Sequence, residues 1–238
     1  MSAAVADREV RFCVEAWAGW REEDDTWTRG GALAPARSLP VLLRRRITPI
    51  GRRALEAAWS VLPDGPMPRL VLSSRHGEYD RTFGLLQELA AGDSVSPADF
   101  SLSVHHALAG LLSITTGSTA GHTALSAGPD SFGFGLIEAA GCVVEDRAGV
   151  ILLHFDAPLP ELYQPVIESR PPARVLALRL APDSGLALAL TLRPSPPAPG
   201  DPGLTDSFLR LLAGEADVSA RGARFEWQWR RREGHDDA

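Results

Sequence analysis

Residues 100–140, FSLSVHHALAGLLSITTGSTAGHTALSAGPDSFGFGLIEAA, leave few folds open to this chain. They read as a buried helix, a tight glycine-bearing loop, a short apolar strand and a second helix. Ser101 or Ser103 can cap a helix over residues 103–116, and Gly117 suits its C-terminal stop. Val104, Leu108, Leu111, Leu112 and Thr115 follow the helical period. Residues 122–126 (HTALS) are small and apolar, the composition of a fully buried strand. Gly128-Pro129 then opens the next helix, with Pro129 at its first position, and Gly141 closes it. A strand that feeds a helix through a sharp turn is where α/β enzymes hold a nucleophile, because a helix N-terminus stabilises negative charge. Here the turn offers Gly128, Pro129, Asp130 and Ser131, with no cysteine and no neighbouring histidine.

The rest of the chain fits a layered α/β domain. Residues 10–17 (VRFCVEAW) and 70–74 read as inner strands, apolar on both faces. Residues 19–40 read as irregular. Thr48-Pro49 caps and starts a helix that runs to Leu62, and residues 79–91 form another that stops at Gly92. Between them the loop 74–78 (SRHGE) suits either a site or an ordinary sheet-edge turn. Residues 150–155 are a buried strand, and 175–180 with 186–192 read as a hairpin around 182–185. Residues 194–203 are a Pro-rich linker, 204–212 a short amphipathic helix, and Phe225, Trp227 and Trp229 mark a half-buried final strand. The division is therefore a domain over 1–193, a linker over 194–203, and a C-terminal helix and strand over 204–238 that pack on the same domain. The fold class is α/β: a mixed sheet with helices on both faces, plus antiparallel C-terminal strands.

Charge and cysteine content narrow the function. A net charge of −6 argues against nucleic acid as partner. Cys13 and Cys142 sit in apolar contexts without metal or redox spacing, as buried thiols of a reducing compartment do. His105 and His106 are adjacent on a helix, roughly 100° apart, and do not share a metal simply. No metal or cofactor is expected. No run has the length of a membrane span and the N-terminus lacks signal-peptide form, so a cytoplasmic location is expected.

The central stretch resembles the N-terminal half of the β-ketoacyl synthases, which have the thiolase fold. In that family a helix carrying Asn-x-x-Ala-Gly-x-x-Ser-Ile leads through a glycine loop to the strand before the active-site cysteine. Gly-Glu-Ala lies on the helix that follows. Here His106-Ala107-Leu108-Ala109-Gly110-Leu111-Leu112-Ser113-Ile114, then Gly117, residues 122–126 and Glu138-Ala139 register without a gap. More narrowly, the chain is similar to the short chain length factors of aryl polyene and related type II synthase systems. LPVLLRRRITPIGRRALEAAW, SVHHALAG, AGPDSFGFGLIEA and VILLHFDAPLPELY carry that likeness, with FEWQWR near the end.

The departures from the family matter as much. The cysteine position falls on Pro129, or on Gly128 with a one-residue slip, and neither can attack a thioester. The asparagine position is His106. Nothing after Pro194 is long enough to be the second half that supplies two histidines, and His235 is the only later histidine. The resemblance thus implies a thiolase-like half-domain without catalysis of its own. It would form a heterodimer with an active β-ketoacyl synthase and shape that partner's acyl tunnel. Phe100, Leu102, His105, Leu108 and Leu111 would reach the tunnel, and His122, Ala124 and Ser126 would form the pairing strand. Arg44, Arg45 and Arg46, with Arg52 and Arg53 nearby, would dock an acidic acyl carrier protein or simply form a solvated face. Two other readings stay open: an acyl hydrolase using Ser131 with Asp156 and His154 or His235, and a homodimeric structural module.

Overall fold

The computed structural model describes residues 9–34, 46–166, 171–196 and 203–232. The strands are β1 (Val10–Arg21), β2 (Thr26–Gly31), β3 (Arg69–Ser73), β4 (His122–Leu125), β5 (Val150–Asp156), β6 (Arg174–Ala181), β7 (Leu186–Pro194), β8 (Asp217–Arg221) and β9 (Phe225–Arg231). The helices are α1 (Pro49–Ser60), α2 (Tyr79–Ala91), α3 (Pro97–Leu102), α4 (Ala107–Thr116), α5 (Ser131–Asp146) and α6 (Leu204–Ala213). A single sheet runs in the order β4-β3-β5-β6-β1-β7-β9-β8, with β2 alongside β1. β3 is parallel to both β4 and β5, and the remaining pairs are antiparallel.

Both sheet faces are covered along β3, β5 and β6, which is why burial there is continuous. β1, expected to be apolar on both faces, instead alternates over residues 12–18, with Glu15 half-buried. Ile151, Leu153 and Phe155 of β5 pack with α1 and with Leu108 and Leu112 of α4. Val150 and Leu152 point the other way, into a second core with Phe132 and Leu136 of α5 and Leu204, Phe208 and Leu212 of α6. Trp227 and Trp229 belong to that second core and are fully buried, so 204–231 packs on the same sheet as the rest. Arg231 donates to the carbonyls of Leu211 (2.8 Å) and Leu212 (3.2 Å), groups that the end of α6 leaves without helical partners.

Local chemistry accounts for the elements that match expectation. Thr48 caps α1 by accepting from the Gly51 amide at 3.1 Å, with Pro49 in the first turn. Gly117 ends α4 in the left-handed region at φ 66°.

Several sequence expectations are corrected. The helix expected over 103–116 is shortened to α4, which begins at Ala107. A separate short helix, α3, precedes it, capped by Ser96 from the Asp99 amide with Pro97 in its first turn. The Ser101 and Ser103 hydroxyls donate to the carbonyls of Ala98 and Phe100 instead of capping α4. The irregular segment 19–40 contains the end of β1 and all of β2. β6 and β7 do not form a hairpin: β1 lies between them and pairs with both, through Cys13–Arg21 on one side and Val10–Val14 on the other. α5 starts at Ser131, beyond Pro129, and continues through Gly141 to Asp146 because Cys142 and Val143 still face the core. β4 is an edge strand, with His122 and Ala124 exposed, rather than a fully buried one. β8 had no apolar run to announce it.

Candidate functional site

At the C-terminal end of β4 the chain turns through Ser126-Ala127-Gly128-Pro129-Asp130 into α5. Gly128 takes φ 61°, a value that glycine adopts without steric cost. Neither Gly128 nor Pro129 carries a side-chain atom able to attack an acyl group. Asp130 is fully buried and accepts from the Trp227 indole at 2.8 Å and from the Arg224 amide at 3.2 Å. Ser131 is only 1% exposed. Its hydroxyl donates to the Gly128 carbonyl (2.6 Å) and accepts from the Ala127 amide (2.9 Å). Burial pushes the thiols of Cys13 and Cys142 up, the opposite of an activated thiolate.

The imidazole that the hydrolase reading assigned to Ser131 is committed elsewhere. His154 Nδ1 lies 2.9 Å from the hydroxyl of Ser73, its neighbour in the β3–β5 register. Its Nε2 is 3.6 Å from Asp156, and its ring meets Phe132 edge-on. Burial holds His154 below its ordinary value, against the pull of Asp156, which favours the neutral ring. Ser131, His154 and Asp156 therefore do not form a triad, and His235 lies outside the described residues.

Asp156 instead organises the loop 74–77. Its Oδ1 accepts from the Arg75 amide (2.6 Å) and the Ser74 hydroxyl (3.0 Å). Ser74 Oγ also accepts from the Gly77 amide at 2.7 Å. His105 Nε2 stands 3.0 Å from the Ser74 carbonyl, and because a carbonyl only accepts, that nitrogen carries the proton. Ser126 donates to the Arg75 carbonyl at 3.0 Å. The sequence marked this loop, but not Ser73 or the part Asp156 plays in it. The signal lay in two serines closing an otherwise apolar strand opposite a histidine in the neighbouring strand.

Of the other residues singled out from sequence, His122, Ala124 and Ser126 lie along β4 and its end, and β4 is an edge strand. Leu70 donates to the Gly121 carbonyl and Ser74 to that of Leu125, so alternate β4 residues face β3. The amides and carbonyls of His122 and Ala124 therefore point to the unpaired side. His122 stacks on His106, ring centres 5.6 Å apart. Phe100 is 63% exposed, and Leu102, His105 and Leu111 are half-buried. Leu108 is 1% exposed and belongs to the core beneath α1, so it is withdrawn from the surface set. Val104, Ile114 and, on α2, Leu86 and Leu89 add exposed apolar surface that the sequence reading passed over.

Of the arginines, Arg44 and Arg45 lie outside the described residues, and Arg46 is exposed. Arg53 is paired with Asp25 (2.8 Å) and Glu56 (3.3 Å), which favours a structural use for it. No group of three or more His, Cys, Asp or Glu among the described residues could hold a metal ion. No helix among them is long and apolar enough to cross a membrane.

The profile of the β-ketoacyl synthase N-terminal domain matches residues 17–230. The chain belongs to that family. Among solved structures, a chain of the ketosynthase (ApeO) in complex with its chain length factor (ApeC) from Xenorhabdus doucetiae is similar over 92% of this chain and 99% of its own. The TM-score is 0.78 and the identity 26%. The ishigamide ketosynthase/chain length factor matches with a TM-score of 0.49 and 14% identity, over 73% of this chain and 59% of its own. A third, PksG, an HMG-CoA synthase from Bacillus subtilus, gives 0.43 and 11% over 86% and 50%. No curated protein matches the chain. The β-ketoacyl synthase family thus supplies the thiolase-like fold anticipated from residues 100–140.

Proposed function

We propose that this chain is a non-catalytic chain length factor that pairs with an active β-ketoacyl-acyl carrier protein synthase in aryl polyene or related biosynthesis. The observation that carries the reading is the strand-to-helix turn after β4: it offers Gly128 and Pro129, which the resemblance sets against the family's cysteine, and Ser131 beside them spends its hydroxyl on the turn itself. A protein without an attacking atom there contributes by shape. The open side of β4 supports a partner strand running alongside His122, Ala124 and Ser126, because unpaired backbone groups at a sheet edge favour such pairing. The exposed Phe100, with Leu102, His105 and Leu111 behind it, would enter the partner's acyl tunnel and limit chain extension. Acyl transfer and decarboxylation would belong to the partner's residues. Arg44, Arg45 and Arg46 would meet an acidic acyl carrier protein at the rim.

Co-expression with a candidate ketosynthase tests the reading, followed by co-purification and mass analysis of the products. A heterodimer whose product length depends on this chain is expected. An acyl adduct on the purified chain alone, or a stable homodimer that ignores the ketosynthase, would overturn it.

A further inference from the structure

The loop 74–77 is held from three directions. From β5, the Asp156 carboxylate takes the Arg75 amide and the Ser74 hydroxyl. From the joint between α3 and α4, His105 donates to the Ser74 carbonyl, and the Gly77 Cα abuts the His105 ring, a Cβ there falling 3.3 Å from it. From the end of β4, Ser126 donates to the Arg75 carbonyl. Inside the loop, Ser74 Oγ closes a turn on the Gly77 amide. Of the two segments that the loop clamps, the α3–α4 joint follows directly on the helix that bears the exposed Phe100, and the end of β4 carries the outward-facing backbone. Neither segment has a direct hydrogen bond to Asp156 among the described residues, so the loop transmits the carboxylate's position.

We propose that Asp156 is a positioning residue for the partner-facing surface: through the loop 74–77 its carboxylate sets the α3–α4 joint and the end of β4 in the arrangement a partner subunit meets. The inference rests on the chain length factor reading for the partner's identity, and on hydrogen-bond geometry for the positioning itself. Asn keeps one acceptor oxygen for the Arg75 amide and Ala keeps none. A carboxamide therefore preserves the clamp where a methyl group abolishes it.

Hydrogen exchange on the full-length chain, compared with its affinity for the ketosynthase, tests this. In Asp156→Ala the amides of Arg75 and Gly77 should exchange about tenfold faster, while Leu178 in β6 is unchanged. Ketosynthase affinity should fall by about tenfold. Asp156→Asn should restore both. Ser74→Ala, which removes the relay hydroxyl without touching β5, should reproduce the loop opening if Asp156→Ala fails to fold. Unchanged exchange at Arg75 and Gly77 in both alanine variants would overturn the clamp. Faster exchange with wild-type ketosynthase affinity would overturn its role in the interface. If the loop amides respond as stated but the wild-type chain binds no ketosynthase, the clamp stands and the partner reading fails.

Discussion

Trp227 donates its indole N–H to Asp130 across 2.8 Å, tying the C-terminal strand to the turn between β4 and α5. The Arg224 amide uses the other oxygen of the same carboxylate. Gly222 lies so close that a Cβ would fall 1.7 Å from Asp130 Oδ1. Asp130→Ala strands the buried Trp227 indole donor and should cost about 1–3 kcal/mol. Urea denaturation measures the loss, and a wild-type midpoint would show that the turn does not depend on β9.

Gly133 tests the same contact from the helix side. A Cβ there would sit 2.5 Å from the Trp227 ring, which is itself stacked at 6.3 Å on Trp229. The ring is fully buried and packed among Phe134, Phe225 and Trp229. Gly133→Ala should therefore destabilise the chain by about 1–3 kcal/mol despite the better helix propensity of alanine. The thermal midpoint reads it.

Two buried titratable groups pull stability in opposite directions with pH. Desolvation holds His154 below its ordinary value of 6.5, against the attraction of Asp156. The folded chain resists a proton that the unfolded chain accepts, so this contribution is complete above pH 6.5 and is lost as the pH falls through the folded value. His76 is shifted the same way, by burial and then by Arg75, so His154→Gln should flatten the acid limb only in part. Glu78 is raised above 4.5 by burial, with the Thr48 hydroxyl and Arg81 opposing. Its contribution is complete below pH 4.5 and is lost as the pH rises through the folded value. Glu78→Gln should remove that decline, as urea midpoints taken across the pH range would record.

Proline at Ala124 separates the partner's hydrogen bonds from the fold's own. The Ala124 amide faces away from β3, and edge strands accept proline where the lost N–H faced outward. Ala124→Pro should leave the thermal midpoint near wild type while weakening ketosynthase association on the order of tenfold, one hydrogen bond's worth. Thr123→Pro, which removes a bond to β3, should unfold the edge. Equal affinities for Ala124→Pro and wild type would exclude pairing along this edge.

Truncating Phe100 tests the tunnel role with little cost to the fold. At 63% exposure its removal should change stability by no more than about 0.5 kcal/mol. In the complex, Phe100→Ala should shift the products to longer chains by mass spectrometry. An unaltered distribution would confine Phe100 to packing at the interface.

Local chemistry in the sequence was enough to place the Thr48-Pro49 cap, the stop at Gly117, the helix over 79–91 and the apolar strands about residues 70 and 150. Each depends on residues within a few positions of one another. The absence of an attacking side chain at Gly128-Pro129 was equally legible, since it is a matter of composition. Tertiary structure decided the rest. Whether β4 is central or marginal depends on which strands flank it, and a small apolar sequence suits both. That β1 parts β6 from β7 follows from pairing across more than a hundred residues, which no turn signal encodes. Leu108 and Phe100 are both large and apolar, yet one packs under α1 and the other faces solvent, because the chain breaks between α3 and α4 to meet the loop that Asp156 holds.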